Sequence, residues 1–309
     1  MKFGIILPVE GNVGVKGKID PHLTLDVGLR AEELGYDSVW AGERLLISQR
    51  LEPLSILAGV AGITQTIKLG TAVLIAPLRH PVILANQLAS IDLVSNGRLI
   101  AGLGVGAERI KPEYDSVGVP FTERGGRLDE CLSIMKKLWS EDTVDFHGKY
   151  YNLVNVSMRL KPKQRNGPPI WLGGTKKVSL QRVAKSGDGW VPFEILPQDY
   201  AVTSKSISDK ALKNGRDPSK IERSLYITIN VKEDVTSAKN EAHKYLESYY
   251  NAKFASIAKF GIFGKATDCV RAFEDYAKAG VETIIVRFAS FSNPVEEIEL
   301  FSKSVASLF

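Results

Sequence analysis

The stretch Ile67 to Gly106 constrains this chain more than any other. Ile67–Ala76 is β-rich and largely apolar, as a strand buried on both faces should be. Pro77 breaks it, and Arg79-His80-Pro81 opens a helix with proline in the first turn. Ile83, Leu84, Leu88, Ile91 and Leu93-Val94 form a helical apolar stripe that stops at Asn96-Gly97, a left-handed cap. Arg98–Val105 follows as the next strand, with Gly102, Gly104 and Gly106 at every second position. Such a strand–helix–strand run is a βαβ unit, with parallel strands and a right-handed crossover. Glycines at the end of its second strand let a planar or phosphorylated group approach the backbone.

The alternation extends along the whole chain. Lys2–Pro8 reads as the first strand, ending at Glu10 and a glycine-rich loop (Gly11, Gly14, Gly17). A helix from Pro21 closes at Gly35, Asp37–Ala41 is the second strand, and Gly42-Glu43 lead to a helix from Pro53. After Gly106 a loop reaches a helix over Phe121–Trp139, and Val144–Leu153 reads as a hairpin or short excursion. Strands at Pro169–Gly173 and Gly189–Pro192 are followed by helices over Lys176–Ser186 and 197–213. Arg223–Val231 alternates as a strand, helices follow over Thr236–Ala258 and Thr267–Ala279, then strand Glu282–Phe288 and helix Pro294–Leu308. Eight β signals alternating with helices predict one (β/α)₈ TIM barrel over residues 1–309, with insertion segments after strands four and seven.

At 309 residues and 44% hydrophobic content, a large core can be buried. The net charge of +5 is spread among interspersed acids and bases, as in Lys232-Glu233-Asp234. That is a solvated surface, which excludes nucleic-acid and membrane partners and at most favours anionic ligands. Cys131 and Cys269 lie far apart in helical patterns, and no apolar run reaches about 18 residues. With an N-terminus that begins directly as a strand, a cytoplasmic protein is expected.

In a barrel of this kind the chemistry sits at the C-terminal strand ends. Those ends carry Glu10, Glu43, Arg79, His80, Gly104 to Glu108, Gly173-Gly174-Thr175, Glu194, Asn230 and Arg287. The four histidines show no ligand spacing, so no metal site is expected. Gly173-Gly174-Thr175 before a helix makes an anion site, although a glycine turn with Thr175 as ordinary N-cap accounts for it equally. Gly102-x-Gly104-x-Gly106 fits strand packing as well as ligand approach. His80, before Pro81, suits a loop-ordering hydrogen bond better than catalysis.

Several segments together resemble the bacterial luciferase-like superfamily of flavin- and deazaflavin-dependent oxidoreductases. They are GYDSVWAGE (35–43), LGTAVLIAPLRHP (69–81), DLVSNGRLIAGLGVG (92–106), ERGGRLDECLSIMKKLW (123–139), DFHGKYYNL (145–153), PPIWLGG (168–174) and KSGDGWVPF (185–193). They stand in family order across nearly the whole chain. The resemblance implies a (β/α)₈ barrel that binds FMN or the deazaflavin coenzyme F420, a small-molecule substrate and a homodimer.

Carried over residue by residue, it implies a non-proline cis peptide at Ala72–Val73 against the cofactor ring. Gly42 and Glu43 stand where many deazaflavin members carry an Asp-His pair, which makes Glu43 the proton donor or substrate-orienting group. Beside Trp40, Leu45 and Leu46, its carboxyl is expected to be desolvated and its pKa raised. Gly104, Gly106 and Ala107 would line the ring edge, and Gly173, Gly174 and Thr175 would hold the cofactor phosphate. Phe121 and Gly125 stand where FMN members place a His and a Tyr, and the Arg-Gly-Gly-Arg run looks more like the F420 branch. Glu194–Pro197 lies where a phosphate-gripping lysine would stand, so sugar-phosphate dehydrogenation is not expected. Three functions follow: hydride transfer between F420 and a small organic substrate, FMN-dependent oxygenation using reduced flavin and O₂, or flavin binding without turnover.

Overall fold

The computed structural model describes residues 1–11, 19–46, 48–250 and 258–309, Tyr250 by its backbone alone. Gly14, Gly17 and the end of the helix predicted over Thr236–Ala258 lie outside the described residues. The strands are β1 (Lys2–Ile6), β2 (Ser38–Ala41), β3 (Lys68–Thr71), β4 (Leu74–Ile75), β5 (Leu99–Gly104), β6 (Val144–His147), β7 (Asn152–Val156), β8 (Ile170–Gly173), β9 (Gly189–Val191), β10 (Glu222–Val231), β11 (Ile262–Gly264) and β12 (Thr283–Phe288). Ten of them form one sheet in the order β11-β10-β12-β1-β2-β3-β5-β8-β9, with β4 beside β5. Parallel pairing of Gly189 with Glu222 and Trp190 with Arg223 joins β9 to β10 and closes the ring. Since β4 continues β3 and β11 hangs off β10, eight barrel positions remain, as predicted.

Helices α1 (Pro21–Glu33), α2 (Pro53–Ile63), α3 (Pro81–Val94), α4 (Lys111–Ser116), α5 (Arg124–Ser140), α6 (Lys177–Ser186), α7 (Pro197–Lys213), α8 (Val235–Tyr250), α9 (Ala266–Lys278) and α10 (Pro294–Ser304) surround it. Proline opens α1, α2, α3, α7 and α10, where a missing N–H costs nothing. Side chains of Asp20, Glu52, His80 and Asn293 cap four of these starts. His80 thus performs the loop-ordering role expected of it, its Nδ1 accepting from the Val82 N–H at 3.4 Å. Asn96 and Gly97 both take positive φ at the end of α3. The insertion after β5 carries α4, α5 and the antiparallel β6–β7 hairpin, and the one after β10 carries α8, β11 and α9.

The main core lies between sheet and helices, and a second cluster fills the barrel itself with Trp40, Ile100, Trp171, Val191 and Ile285. Trp40 and Trp171 pack at a 35° tilt with ring centroids 5.1 Å apart. Gly4 and Gly70 make room for Trp40, since a Cβ on either would collide with its indole. No helix among the described residues is long and apolar enough to cross a membrane.

Candidate active site

The single strand predicted over Ile67–Ala76 is interrupted. Gly70 pairs with Ile100 and Leu74 with Leu103, four steps on one side against three on the other. The extra residue is accommodated as a bulge, and the Ala72–Val73 peptide within it is cis. Gly102 meets the Thr71 carbonyl so closely that any Cβ would clash with its oxygen.

Residues from three other strand ends converge on this dipeptide. A Cβ on Gly104 would lie 2.6 Å from one Val73 methyl, and a Cβ on Gly173 would lie 3.4 Å from the other. A Cβ on Gly42 would lie 3.2 Å from the Ala72 carbonyl oxygen. Lacking those atoms, the glycines add no side chain over the Ala72–Val73 dipeptide. Beyond Gly173, Gly174 turns at φ +103 and the chain enters α6. The N-cap is Lys176 rather than Thr175, and no side chain caps the helix start. Its first N–H groups therefore stay available to an anion beside Lys176 and Lys177, which suits a cofactor phosphate. Thr175 is exposed at this turn.

Gly106 and Ala107 are placed differently. Gly106 packs against Ile110, and Ala107 is exposed at the start of the turn Glu108–Ile110. The Arg124-Gly125-Gly126-Arg127 run has a packing explanation of its own. Gly126 lies against the Tyr150 ring, Gly125 faces the Arg182 guanidinium, and Arg124 covers the Phe121 ring at 3.7 Å.

Glu43 is buried, with both carboxylate oxygens engaged. Oε2 accepts from the Ile75 N–H at 2.6 Å, and Oε1 pairs with Arg79 Nη2 at 2.6 Å. Burial pushes its carboxyl pKa up, and Arg79 opposes the shift. Leu45 and Leu46, expected to wall it off, are exposed, and the partners of its buried carboxylate are Ile75 and Arg79.

A second polar group lies beside Gly42. Arg50 is ion-paired to Glu10 and donates to the Tyr249 hydroxyl at 2.9 Å. The guanidinium of Arg287 lies 4.3 Å above the Tyr249 ring and also holds Thr228 Oγ1 at 2.6 Å. Burial raises the Glu10 carboxyl, against the pull of Arg50, Arg287 and Arg44. Glu194, at the end of β9 with φ +59, is also raised by burial. Asn230 donates to Glu241 and to the Ala289 carbonyl, both at 2.7 Å. Arg50 and Tyr249 escaped the sequence reading. The backbone bridge between Glu10 and Arg50 is the link that brings the first of them in.

The luciferase-like monooxygenase family profile matches residues 1–283. Curated relatives include an "F420-dependent glucose-6-phosphate dehydrogenase" of Amycolatopsis mediterranei, 32% identical over 190 residues (58% of this chain, 56% of the relative). Another of the same name from Kineococcus radiotolerans is 31% identical over 227 residues (71% of this chain, 66% of the relative). The chain thus spans 56% and 66% of those relatives' lengths. Among solved structures, an F420-dependent secondary alcohol dehydrogenase bound to an F420–acetone adduct superposes with TM-score 0.86 at 19% identity, covering 100% of this chain and 99% of that one. An FMN-bound type II Baeyer–Villiger monooxygenase from Pseudomonas putida gives 0.79 at 18% identity, covering 99% and 98%. At such identities the likeness is one of fold. With the profile running from the first residue of the chain to the last barrel strand, the chain belongs to the bacterial luciferase-like family.

Proposed function

We propose that the protein is an oxidoreductase that transfers a hydride between coenzyme F420 and a small organic substrate. The observation that carries this reading is the convergence of Gly42, Gly104 and Gly173 on the Ala72–Val73 dipeptide, with an uncapped helix start next to Gly174. In this reading Ala72, Val73, Gly42 and Gly104 back the ring, with Gly106 and Ala107 at its outer edge. Gly173, Gly174, Thr175 and the first turn of α6 hold the phosphate. A bound deazaflavin supplies a carbon that takes or gives hydride without activating oxygen. Glu43 carries the accompanying proton, its carboxyl made easier to protonate by burial and oriented by Arg79 and the Ile75 N–H.

F420 is favoured over FMN because Phe121 and Gly125 offer no side-chain hydrogen bond to a phosphate, and relatives named for F420 dependence support the choice. FMN-dependent oxygenation is the second reading, since the open start of α6 serves a flavin phosphate equally. Flavin binding without turnover is the third. The reading also includes a homodimer, which light scattering tests, and a cytoplasmic location. Anaerobic incubation with F420 and a panel of alcohols, or with reduced F420 and the matching carbonyls, should change the deazaflavin absorbance. Oxygen uptake with reduced FMN and no F420 turnover would select the second reading, and binding without turnover the third.

A further inference from the structure

We propose that Arg44 and Arg50 form an anion-recognition site at the barrel mouth, and that the substrate is accordingly a small organic anion, a carboxylate or a phosphate. This deepens the hydride-transfer reading and rests on it. The side chain of Arg50 is 3% exposed, yet its two side-chain hydrogen bonds both come from Nη2. Nη2 serves Glu10 and Tyr249, while Nε is buried with no hydrogen-bond partner among the described residues. Nη1 lies 3.2 Å from the point where a Gly42 Cβ would stand, the same distance as the Ala72 carbonyl oxygen. The guanidinium therefore borders the dipeptide on which the strand ends converge.

Arg44 repeats the pattern, with its Nη1 buried and without a partner among the described residues. Burial and the like charges of Arg109 and Arg50 make Arg44 easier to deprotonate. Glu10 is the carboxylate at the centre, and Arg50, Arg287 and Arg44 all act on it. Glu113 also acts on Arg44, and Glu194 on Arg287, so acids and bases alternate around these guanidiniums in a desolvated place. Unpaired buried donors are costly until an acceptor arrives. The planar guanidinium presents paired donors that match the oxygens of a carboxylate or phosphate.

A structural arginine in the same chain looks different. Arg98 spends Nε on the Ser95 carbonyl, Nη1 on Thr64 Oγ1 and the Ile67 carbonyl, and Nη2 on the Ala61 and Thr64 carbonyls. Every nitrogen of Arg98 is used. Arg50 keeps its Nε and Arg44 its Nη1 unpaired among the described residues, and Gly42 adds no side chain to cover the Arg50 guanidinium.

The test is calorimetric titration with acetate, inorganic phosphate and neutral acetamide at constant ionic strength, on the protein alone and saturated with F420. Acetate or phosphate should bind in both states and acetamide in neither, and the tighter of the two anions identifies the substrate class. Arg50→Met and Arg44→Met should each weaken that anion by about tenfold or more, the worth of a charged hydrogen bond. Arg159→Met, at an exposed position, should leave it unchanged. Should Arg50→Met lose its cooperative thermal transition, Arg44→Met and Arg50→Lys still decide the matter. Equal binding of acetamide, indifference to the arginine substitutions, or displacement of the anion by F420 would overturn the proposal. The cofactor titration is separate: F420 binding without anion binding refutes this site alone, and failure of the protein to bind F420 while it still binds the anion refutes the hydride-transfer reading.

Discussion

Replacing Glu43 by Gln separates its chemistry from its structural work. The amide keeps an oxygen that can accept from the Ile75 N–H and remains in reach of Arg79, so the loss is of charge rather than of shape. Charge-assisted hydrogen bonds are about twice as strong as neutral ones, which sets the stability loss at about 1–2 kcal/mol. Arg79 keeps Glu52 at 2.9 Å as a partial replacement. Glu43→Ala should be worse, adding about 1–3 kcal/mol, because it leaves the buried Ile75 N–H with no acceptor and Arg79 with Glu52 alone. If Glu43 delivers the proton, kcat in Glu43→Gln drops by at least about tenfold, equivalent to about 1.4 kcal/mol in the barrier. Cofactor affinity, read by fluorescence titration, should barely move. In the carbonyl-reducing direction the wild-type rate should fall as pH rises through the raised Glu43 pKa, since the protonated form is needed. That limb should be missing from the Glu43→Gln profile. Undiminished turnover in Glu43→Gln would refute the assignment and move the proton to Glu10, His80 or Glu194.

Gly104→Ala drives a methyl into Val73 and should weaken cofactor binding about tenfold or more while the fold survives, whereas Gly102→Ala strikes the Thr71 carbonyl and should lower the melting temperature sharply. Glu32 accepts from the backbone N–H groups of Gln65, Thr66 and Ile67, and Glu32→Gln should cost about 1–2 kcal/mol in chemical denaturation. Burial works against the Glu32 carboxylate, but the Ile67, Thr66 and Gln65 donors prevail and hold its pKa below 4.5. Its contribution is therefore present above pH 4.5 and is lost as pH falls through the lowered folded value, so the variant should differ least from wild type in acid. Burial pushes both cysteine thiols up to about 12, so Cys131 and Cys269 should resist maleimide at neutral pH and react once the chain is unfolded.

The barrel was legible because its repeat is written locally. Apolar strands, prolines at helix starts and left-handed caps at Gly35, Gly97 and Gly280 lie within a few residues of the structure they dictate. Where a local signal was lacking, the reading failed. Ile67–Ala76 stays apolar through the bulge, so nothing in its pattern separates β3 from β4. Strand β11 has three residues and no alternation to betray it, and α4, with Pro112 in its first turn, looked like loop. The glycines at the site were legible as places of close approach, but not what approaches them. Val73 answers for Gly104 and Gly173, while Ile110 answers for Gly106. Arg50 and Tyr249 stand 199 positions apart and meet through tertiary packing, which no spacing rule finds. Glu43 was expected to be desolvated by its sequence neighbours, yet Leu45 and Leu46 are exposed and its carboxylate is held by residues 75 and 79.

The central claim is the cofactor, and equilibrium titration of the purified protein with F420 and with FMN, followed by fluorescence, tests it most directly. Saturable binding of F420, at least about tenfold tighter than FMN and weakened in Gly104→Ala, is the predicted result. Tight binding of FMN with no binding of F420 would contradict it.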